Sequence, residues 1–328
     1  MRSQLFLSAP IVLAFLSVTP GPEEIVHRPT AGLALRKSFV LVSENASDST
    51  DSDGDTSRSE SSSTFSAVVT DVILEVEGER VLKLKRTYDE ISIEGEGYWE
   101  SDEESDESSF AGTSEIEGAT VLFAWDEESE EYSASSEDLD DDVLEKLSYD
   151  FDFTMLLPDG EVSVDDHWSI DAERFEGMFA MWEGLPLDWD TGDSETSEEE
   201  AVEPDVERTT EGELTATFHG PRDEKGVEVA VITLEGTIEE SVLRDVEDTQ
   251  EWGSHSFHED RTGTSEVAGE ILWNLASGHL HSISLQVESE GESRSTNTST
   301  SNGQEHSFEH DESYTGSTTV TITFKVVE

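Results

Sequence analysis

The chain contains no cysteine. This absence excludes disulfide bonds, thiolate metal sites, a cysteine nucleophile and the acylated cysteine of a lipoprotein. An exported form of the protein would therefore have to fold without disulfide staples.

Basic residues are scarce, with 18 Lys and Arg against 79 Asp and Glu in 328 residues and a formal net charge of −61. Binding to nucleic acid needs clustered Lys and Arg that contact phosphates, so the composition argues against that function and also disfavours anionic membrane surfaces. Two interpretations of the acidity remain open. It keeps the protein soluble in a saline medium, or it matches a partner that is a divalent cation or a basic protein.

Sequence motifs of common enzyme classes are also missing. There is no Gly-x-Ser-x-Gly elbow, P-loop, dinucleotide fingerprint or His-Glu-x-x-His. Asp51, Asp53 and Asp55 have the spacing of a calcium loop, but Gly54 precedes the third acidic position instead of following it. We therefore expect a protein that is not an enzyme and that needs no cofactor.

The amino terminus has the pattern of a secretory signal. Residues 1–19 contain one basic residue, Arg2, and then an apolar run that Pro10 interrupts. The run is too short and too broken for a membrane span. We predict a signal peptide over residues 1–22 and an exported protein of the periplasm, cell surface or extracellular space, with no stable membrane span in the mature chain.

Two related hairpins organise the rest of the chain. Residues 267–287 predict a strand, a small-residue turn and a second strand, and residues 119–135 repeat this arrangement. In both, a tryptophan (Trp125 or Trp273) ends the first strand, and an apolar residue follows seven positions later. The alternating pattern predicts a mainly β fold, a large curved antiparallel sheet or half-barrel with one or two short helices. The repeated hairpin suggests that the sheet is built from two diverged repeats. The predicted division is a first β half over 23–190, an acidic linker over 191–207 and a second β half over 208–328.

Local patterns predict further elements. Helical spacing of apolar residues indicates helices over 139–147 and 172–182. Strands are expected over 149–157 and over 65–76, where Val68, Val72, Leu74 and Val76 would share one face. The Ser- and Asp-rich residues 44–63 are predicted as a flexible loop, residues 94–109 as a loop or frayed hairpin end, and residues 220–223 as a turn.

A group of aromatic residues, the aromatic district, lies near the end of the predicted first half. Its members are Trp168, Phe175, Phe179, Trp182 and Trp189. At helical spacing such residues usually fill a core, but they also suggest a binding module that holds an apolar ligand or partner on a concave sheet face. The alternative is a structural or surface protein whose acidic loops bind divalent cations or basic partners.

Two groups of basic or metal-binding side chains stand out. His279 and His281 are two residues apart on a predicted strand, and with His255 on a neighbouring strand they are a candidate metal site. The ordinary interpretation is a pair of half-exposed strand residues. Lys83, Lys85 and Arg86 form a rare basic island, for which we expect cross-strand pairing with acidic residues such as Glu75.

Residues 156–168, LLPDGEVSVDDHW, and residues 269–282, GEILWNLASGHLHS, resemble uncharacterised secreted bacterial proteins of two-part β architecture. In those proteins a glycine usually stands where this chain has Asp165. The resemblance covers most of residues 30–324 and implies a fold and an envelope location, but no activity. More loosely, the layout is similar to the curved sheets of periplasmic lipoprotein carriers.

The excess of negative charge generates a first prediction. Repulsion within the chain destabilises the compact state, and salt screens it as the Debye length falls from about 10 Å at 0.1 M to about 3 Å at 1 M. The melting temperature should therefore rise with sodium chloride concentration in thermal melts followed by circular dichroism. An unchanged melting temperature would mean that the charges lie too far apart to matter.

Overall fold

The computed structural model describes residues 22–101, 104–149, 151–183, 185, 187–190, 205–250, 253–301 and 304–327. Residues 1–21 of the predicted signal peptide and residues 191–204 of the predicted linker lie outside them. The strands in chain order are β1 (Glu23–Glu24), β2 (Ala34–Asp51), β3 (Thr56–Glu77), β4 (Arg80–Ser101), β5 (Ser105–Ser114), β6 (Thr120–Asp126), β7 (Glu131–Ser135), β8 (Glu161–Val162), β9 (His167–Asp171), β10 (Leu187–Asp190), β11 (Asp205–Glu224), β12 (Val227–Gln250), β13 (Gly253–Asn274), β14 (His279–Ser301) and β15 (Gln304–Val326). The helices are α1 (Asp141–Leu144) and α2 (Ala172–Glu183), with a 3-10 turn at Thr154–Leu156.

Thirteen of these strands form one open antiparallel sheet, which confirms the predicted mainly β fold. Its order is β10-β5-β4-β3-β2-β15-β14-β13-β12-β11-β9, and the β6–β7 hairpin attaches to β4. Both tryptophan hairpins are present, with Trp125 opposite Tyr132 and Trp273 opposite Leu280. The pairing of β2 with β15 makes one continuous sheet of residues from both predicted halves.

The hydrophobic core lies on one face of the sheet and near one end of its strands. We call this face the inner face; it carries the buried Phe39 of β2 and Ile322 of β15. Phe151, Phe153 and Leu156, which precede β8, pack onto these residues. Burial of such side chains contributes about 1.5–3 kcal/mol each. This part of the sheet is the core end.

The other half of the long strands, the polar end, has no buried described side chain. It comprises residues 44–63, 94–109, 256–266 and 288–316. Continuous pairing holds it together: β13 and β14 stay in register from Gly253 opposite Ser301 to Val267 opposite Val287. Serine hydroxyls add cross-strand hydrogen bonds, as between Ser47 and Ser59 at 2.8 Å.

The prediction of a flexible loop over residues 44–63 is therefore wrong, and residues 94–109 are largely strand. Apart from the Asp51–Asp55 turn, the first segment consists of the paired ends of β2 and β3, and the second contains the ends of β4 and β5. Ser and Asp have low intrinsic strand propensity, but that propensity depends on context, and here the long strands continue their pairing beyond the core.

Glycines on the inner face let aromatic rings lie across the polar end. A Cβ atom on Gly291 of β14 would overlap the Tyr314 ring and the Thr262 carbonyl, and one on Gly263 of β13 would meet the same ring. Such a ring over a glycine is a recognised way to stabilise a curved sheet. The Tyr314 hydroxyl donates to the Thr262 carbonyl at 3.3 Å, which ties β15 to β13 across β14.

Helix α2 links the two edges of the sheet. It begins directly after β9, which is one edge, and β10, the opposite edge, follows three residues after the helix ends. The 12-residue helix spans about 18 Å at 1.5 Å per residue. With its connections the span is at most about 30 Å, whereas eleven strands laid flat extend about 48 Å. The sheet must therefore curve at its core end.

Several local predictions differ from the structure. Helix α1 is only four residues long. Residues 149–157 contain the 3-10 turn instead of a strand, because their polar backbone bonds to side chains of the sheet. Residues 220–223 form a bulge within β11, where the register shifts between Phe218 and Pro221. On β3 the buried residues are Ala67, Val69 and Ile73, while Leu74 is 47% exposed; both faces are apolar there, so alternation did not identify the inner one.

The packing around Tyr314 generates a prediction about glycine. We expect Gly291→Ala to lower the free energy of unfolding by about 1–3 kcal/mol, because the added methyl overlaps a backbone carbonyl as well as a ring. Gly177→Ala in α2 is the matched control, since a Cβ there meets no atom within 4 Å. It should raise stability by about 0.5–1 kcal/mol. Urea unfolding measures both, and equal effects would contradict the proposed packing.

Candidate functional site

A broad groove lies at the polar end of the sheet. It has a volume of about 1210 Å³ and is formed by seven strands, β2 to β5 and β13 to β15. Its walls carry Ser and Thr side chains, Tyr98 and seven glutamates, and no Lys, Arg or His. We call it the glutamate groove; its glutamates are Glu44, Glu60, Glu96, Glu107, Glu266, Glu288 and Glu290.

All seven glutamates lie on the outer face, opposite the core. Successive strand residues point to opposite faces, and Glu44 is five positions from the buried Phe39, as Glu96 is from Ile91. Glutamates on neighbouring strands are not all side by side. Glu44 of β2 and Glu96 of β4 both stand opposite Ser62 of β3, the strand between them. The backbones at Glu44 and Glu96 are therefore about 10 Å apart, two strand spacings.

Little positive charge compensates this groove. Of its seven glutamates, only Glu60 has a salt-bridge partner among the described residues, Arg58 at 2.8 Å, and both side chains are about half exposed. Glu266 and Glu288 stand directly opposite each other on β13 and β14. Like charges in that position destabilise a sheet. The groove thus holds carboxylates that the fold itself does not neutralise.

A second group of charged side chains is buried in the core end, and its charges are paired. Arg86 on β4 forms a bidentate ion pair with Asp71 on β3, at 2.8 and 2.9 Å. Lys37 Nζ on β2 lies 2.8 Å from Asp71 Oδ2 and 2.7 Å from Asp152 Oδ1. These four residues are the buried ionic cluster, and its two positive and two negative charges balance.

The cluster attaches an irregular segment to the sheet. Arg86 donates hydrogen bonds to the carbonyls of Ser148 and Tyr149, at 2.9 and 3.0 Å, and Lys37 donates to the Phe151 carbonyl at 3.2 Å. These are the backbone groups that a strand would have used in a ladder. The cluster therefore explains why residues 149–157 leave the sheet and cover its inner face.

Burial and charge have opposite effects on the acids of the cluster. Burial alone would raise the pKa of Asp71, but the positive charges of Arg86 and Lys37 outweigh it and lower that pKa to about 2. Burial acts the same way on Asp152, and Lys37 again reverses it, so its pKa is also lowered. Both carboxylates are thus ionised at neutral pH.

The sequence indicated only part of this cluster. The expected pairing of the basic island is confirmed for Lys83, which lies 2.9 Å from Glu75. It is also confirmed for Arg86, whose cross-strand partner Asp71 is buried. Asp71 was not predicted as its partner, although it is an isolated charge within an apolar strand segment, which is the signal that marks a buried ion pair. Lys37 directly follows Arg36 and carries no such signal.

The structure disperses the predicted aromatic district. Phe175 is 1% exposed and packs in the core, and the half-buried Trp168 donates its indole N–H to the Leu156 carbonyl at 3.1 Å. The side chains of Phe179, Trp182 and Trp189 lie outside the described residues. The backbone of Trp189 pairs with Gly112 at the sheet edge opposite that of Trp168.

The three candidate histidines do not lie together. His279 stands opposite Asn274 at one end of β13, whereas His255 belongs to the other end of that strand, roughly 60 Å away at about 3.3 Å per residue. His279 is 4% exposed, burial lowers its pKa, and its Nδ1 donates to the Leu280 carbonyl at 2.7 Å. Within the described part of the chain, no group of three or more His, Asp or Glu has the geometry of a metal site.

Comparisons with known proteins assign the chain to no family. No family model matches the chain, and no curated protein matches it. The crystal structure of OpdQ from Pseudomonas aeruginosa aligns over 89% of this chain and 99% of its own, but at 6% identity and a TM-score of 0.19; a likeness that weak carries no argument. Among the described residues, no helix has the length and apolar character needed to cross a membrane.

The buried ionic cluster generates a prediction for acid unfolding. The pKa of Asp71 is lower in the folded chain than its ordinary 3.8, so its contribution to stability is present above pH 3.8 and is lost as the pH falls towards about 2. The loss should amount to about 2 kcal/mol. We expect Asp71→Asn to remove this component of the pH dependence, measured by urea unfolding between pH 5 and pH 2.

Asp71→Asn should also lower stability at pH 7 by about 3–5 kcal/mol, because it leaves buried cations uncompensated. The matched control is Asp311→Asn, which breaks the exposed pair with Arg294 at 2.6 Å and should have no measurable effect. Equal losses in the two variants would contradict the role of the buried cluster.

Proposed function

We propose that the protein is an exported, non-catalytic binding module that holds a basic, extended partner in the glutamate groove. The observation that carries the proposal is a concave site of about 1210 Å³ with seven glutamates and no basic side chain on its walls. Electrostatic complementarity of this kind speeds association and excludes partners of the same charge. Polypeptide segments rich in Lys or Arg have the required chemistry.

The arrangement of charges favours a polypeptide over single ions. A calcium ion needs several oxygens at 2.3–2.6 Å, and among the residues that the structure describes no group of three or more His, Asp or Glu could hold a metal ion. A basic chain lying across the strands brings a series of separate cations and can neutralise each carboxylate in turn. It would also relieve the repulsion between Glu266 and Glu288, which face each other directly.

An apolar ligand is less well supported. Of the predicted aromatic side chains that the structure describes, Phe175 is fully packed, and Trp168 is held by its hydrogen bond to Leu156. The inner face of the core end is filled by residues 151–156 instead of presenting an accessible surface. We therefore place the partner on the outer face of the polar end.

Export belongs to the same proposal. It is supported by the apolar, weakly basic residues 1–19 and by the resemblance to secreted bacterial proteins. Amino-terminal sequencing of the mature protein tests it, and a chain that retains residues 1–22 after expression in its own cells would contradict it.

Fluorescence anisotropy with a labelled peptide of alternating Lys and Thr tests the partner. We expect saturable binding at 0.1 M salt that weakens strongly at 1 M, where screening acts within about 3 Å. The double variant Glu44→Gln, Glu96→Gln should bind about tenfold more weakly, equivalent to about 1.4 kcal/mol.

The control removes the same charge elsewhere. Glu211→Gln, Glu235→Gln changes two exposed glutamates of β11 and β12 that are not part of the groove. It should bind the peptide as the unmodified protein does. If both double variants lose affinity equally, the peptide responds only to net charge and the groove is not its site.

A further inference from the structure

The buried ionic cluster has the geometry of a chemical reaction as well as that of an ion pair. The primary amine of Lys37 lies 2.7 Å from Oδ1 of Asp152 and 2.8 Å from Oδ2 of Asp71. The side chains of Lys37 and Asp71 are 1% exposed and that of Asp152 is 15% exposed. An amine, a carboxyl carbon and a second acid are thus held in contact where water has little access.

We propose that the chain forms an amide bond between Nζ of Lys37 and Cγ of Asp152, with Asp71 as the proton relay. This intramolecular cross-link would be a self-made modification of the protein. It is independent of the proposed binding function and needs no oxidant, metal or second enzyme.

The step balances as a condensation. One proton moves from the Lys37 ammonium to the Asp152 carboxylate, which gives a neutral amine and a carboxylic acid. Nζ then forms a bond to Cγ, and the nitrogen, now positively charged, gives a second proton to Oδ2 of Asp71. Asp71 returns this proton to the departing hydroxyl, which leaves as water. The nitrogen keeps one proton, and this N–H is placed to donate a hydrogen bond to the Phe151 carbonyl, 3.2 Å from Nζ.

The two acids are not equivalent, and this difference assigns their roles. Both oxygens of Asp71 are held by the Arg86 guanidinium, at 2.8 and 2.9 Å, which keeps Asp71 a carboxylate and a poor electrophile. Oδ1 of Asp152, by contrast, contacts the attacking amine itself, at 2.7 Å. A nitrogen that becomes positively charged on attack is a strong acid, so even a well-stabilised carboxylate accepts its proton.

The surroundings favour the product. Lys37 Nζ lies 4.8 Å from the centre of the Phe324 ring, and the rings of Phe39 and Phe151 contact each other nearby. Water would hydrate an ion pair and reverse the condensation, but both effects weaken in an apolar site. The reaction removes one positive and one negative charge, and the remaining pair of Arg86 and Asp71 keeps the site neutral.

The cross-link would join two distant parts of the chain. It connects β2 to the segment before the 3-10 turn, 115 positions apart in sequence. Closing so long a loop restricts the unfolded chain in the same way as a disulfide. A protein with no cysteine would thereby obtain a covalent staple by another chemistry.

Mass spectrometry of the purified, denatured full chain tests the proposal. From the observed amino terminus, the intact mass should be lower than the sequence mass by one water. Proteolysis should yield a branched peptide that joins Lys37 to Asp152. Cyclisation at Asp53-Gly54 or Asp159-Gly160 also loses water, but it leaves a linear peptide and so is distinguished by the map.

Variants separate the roles of the three side chains. Lys37→Arg should show the full sequence mass, because a guanidinium does not attack, and Asp71→Asn should show it because the relay is lost. Asp152→Asn should lose ammonia in place of water when the bond forms. A full sequence mass in the unmodified protein, or a water loss mapped to any other position, overturns the proposal whether or not the variants fold.

Discussion

The structure depends on one constraint: the apolar side chains cover only one end of strands that are 22 to 24 residues long. At the polar end, strand pairing must replace a core. Backbone hydrogen bonds are each modest in net contribution, but β12 to β15 pair along almost their whole length. Strands that are polar on both faces can slip out of their pairing register, because no buried side chain fixes it. The core end prevents it, because any shift there would expose Phe39 and its neighbours on the inner face.

Charge is treated in opposite ways inside and outside. Within the core end, Lys37, Arg86, Asp71 and Asp152 balance one another and satisfy backbone carbonyls as well. A buried charge without such partners would be too costly to keep. Outside, the formal charge of −61 is left largely uncompensated. The glutamates of the groove are among these uncompensated outer charges, so they are available to a partner instead of stabilising the fold.

The sequence predicted those parts in which local pattern and tertiary environment agree. The tryptophan hairpins and α2 belong here, because their apolar spacing matches what the fold buries. It failed where the environment overrides local preference: residues 44–63 extend strands already started in the core, and β3 buries Asp71 because Arg86 neutralises it. The groove escaped notice for a related reason. Its glutamates are ordinary in a chain with 79 acidic residues, and only the register of seven strands brings them together.

The two sites are mechanically connected, which bears on how the groove keeps its shape. Lys37 and Glu44 share β2, and Arg86 and Glu96 share β4, so the strands that carry groove carboxylates are the ones anchored by the ionic cluster. A receptor whose groups are already in place loses less entropy on binding than one that must order them. The polar end has no core of its own to supply that order. Its rigidity must therefore be transmitted along the strands from the core end, where Arg86 of β4 and Lys37 of β2, on either side of β3, attach to one covering segment.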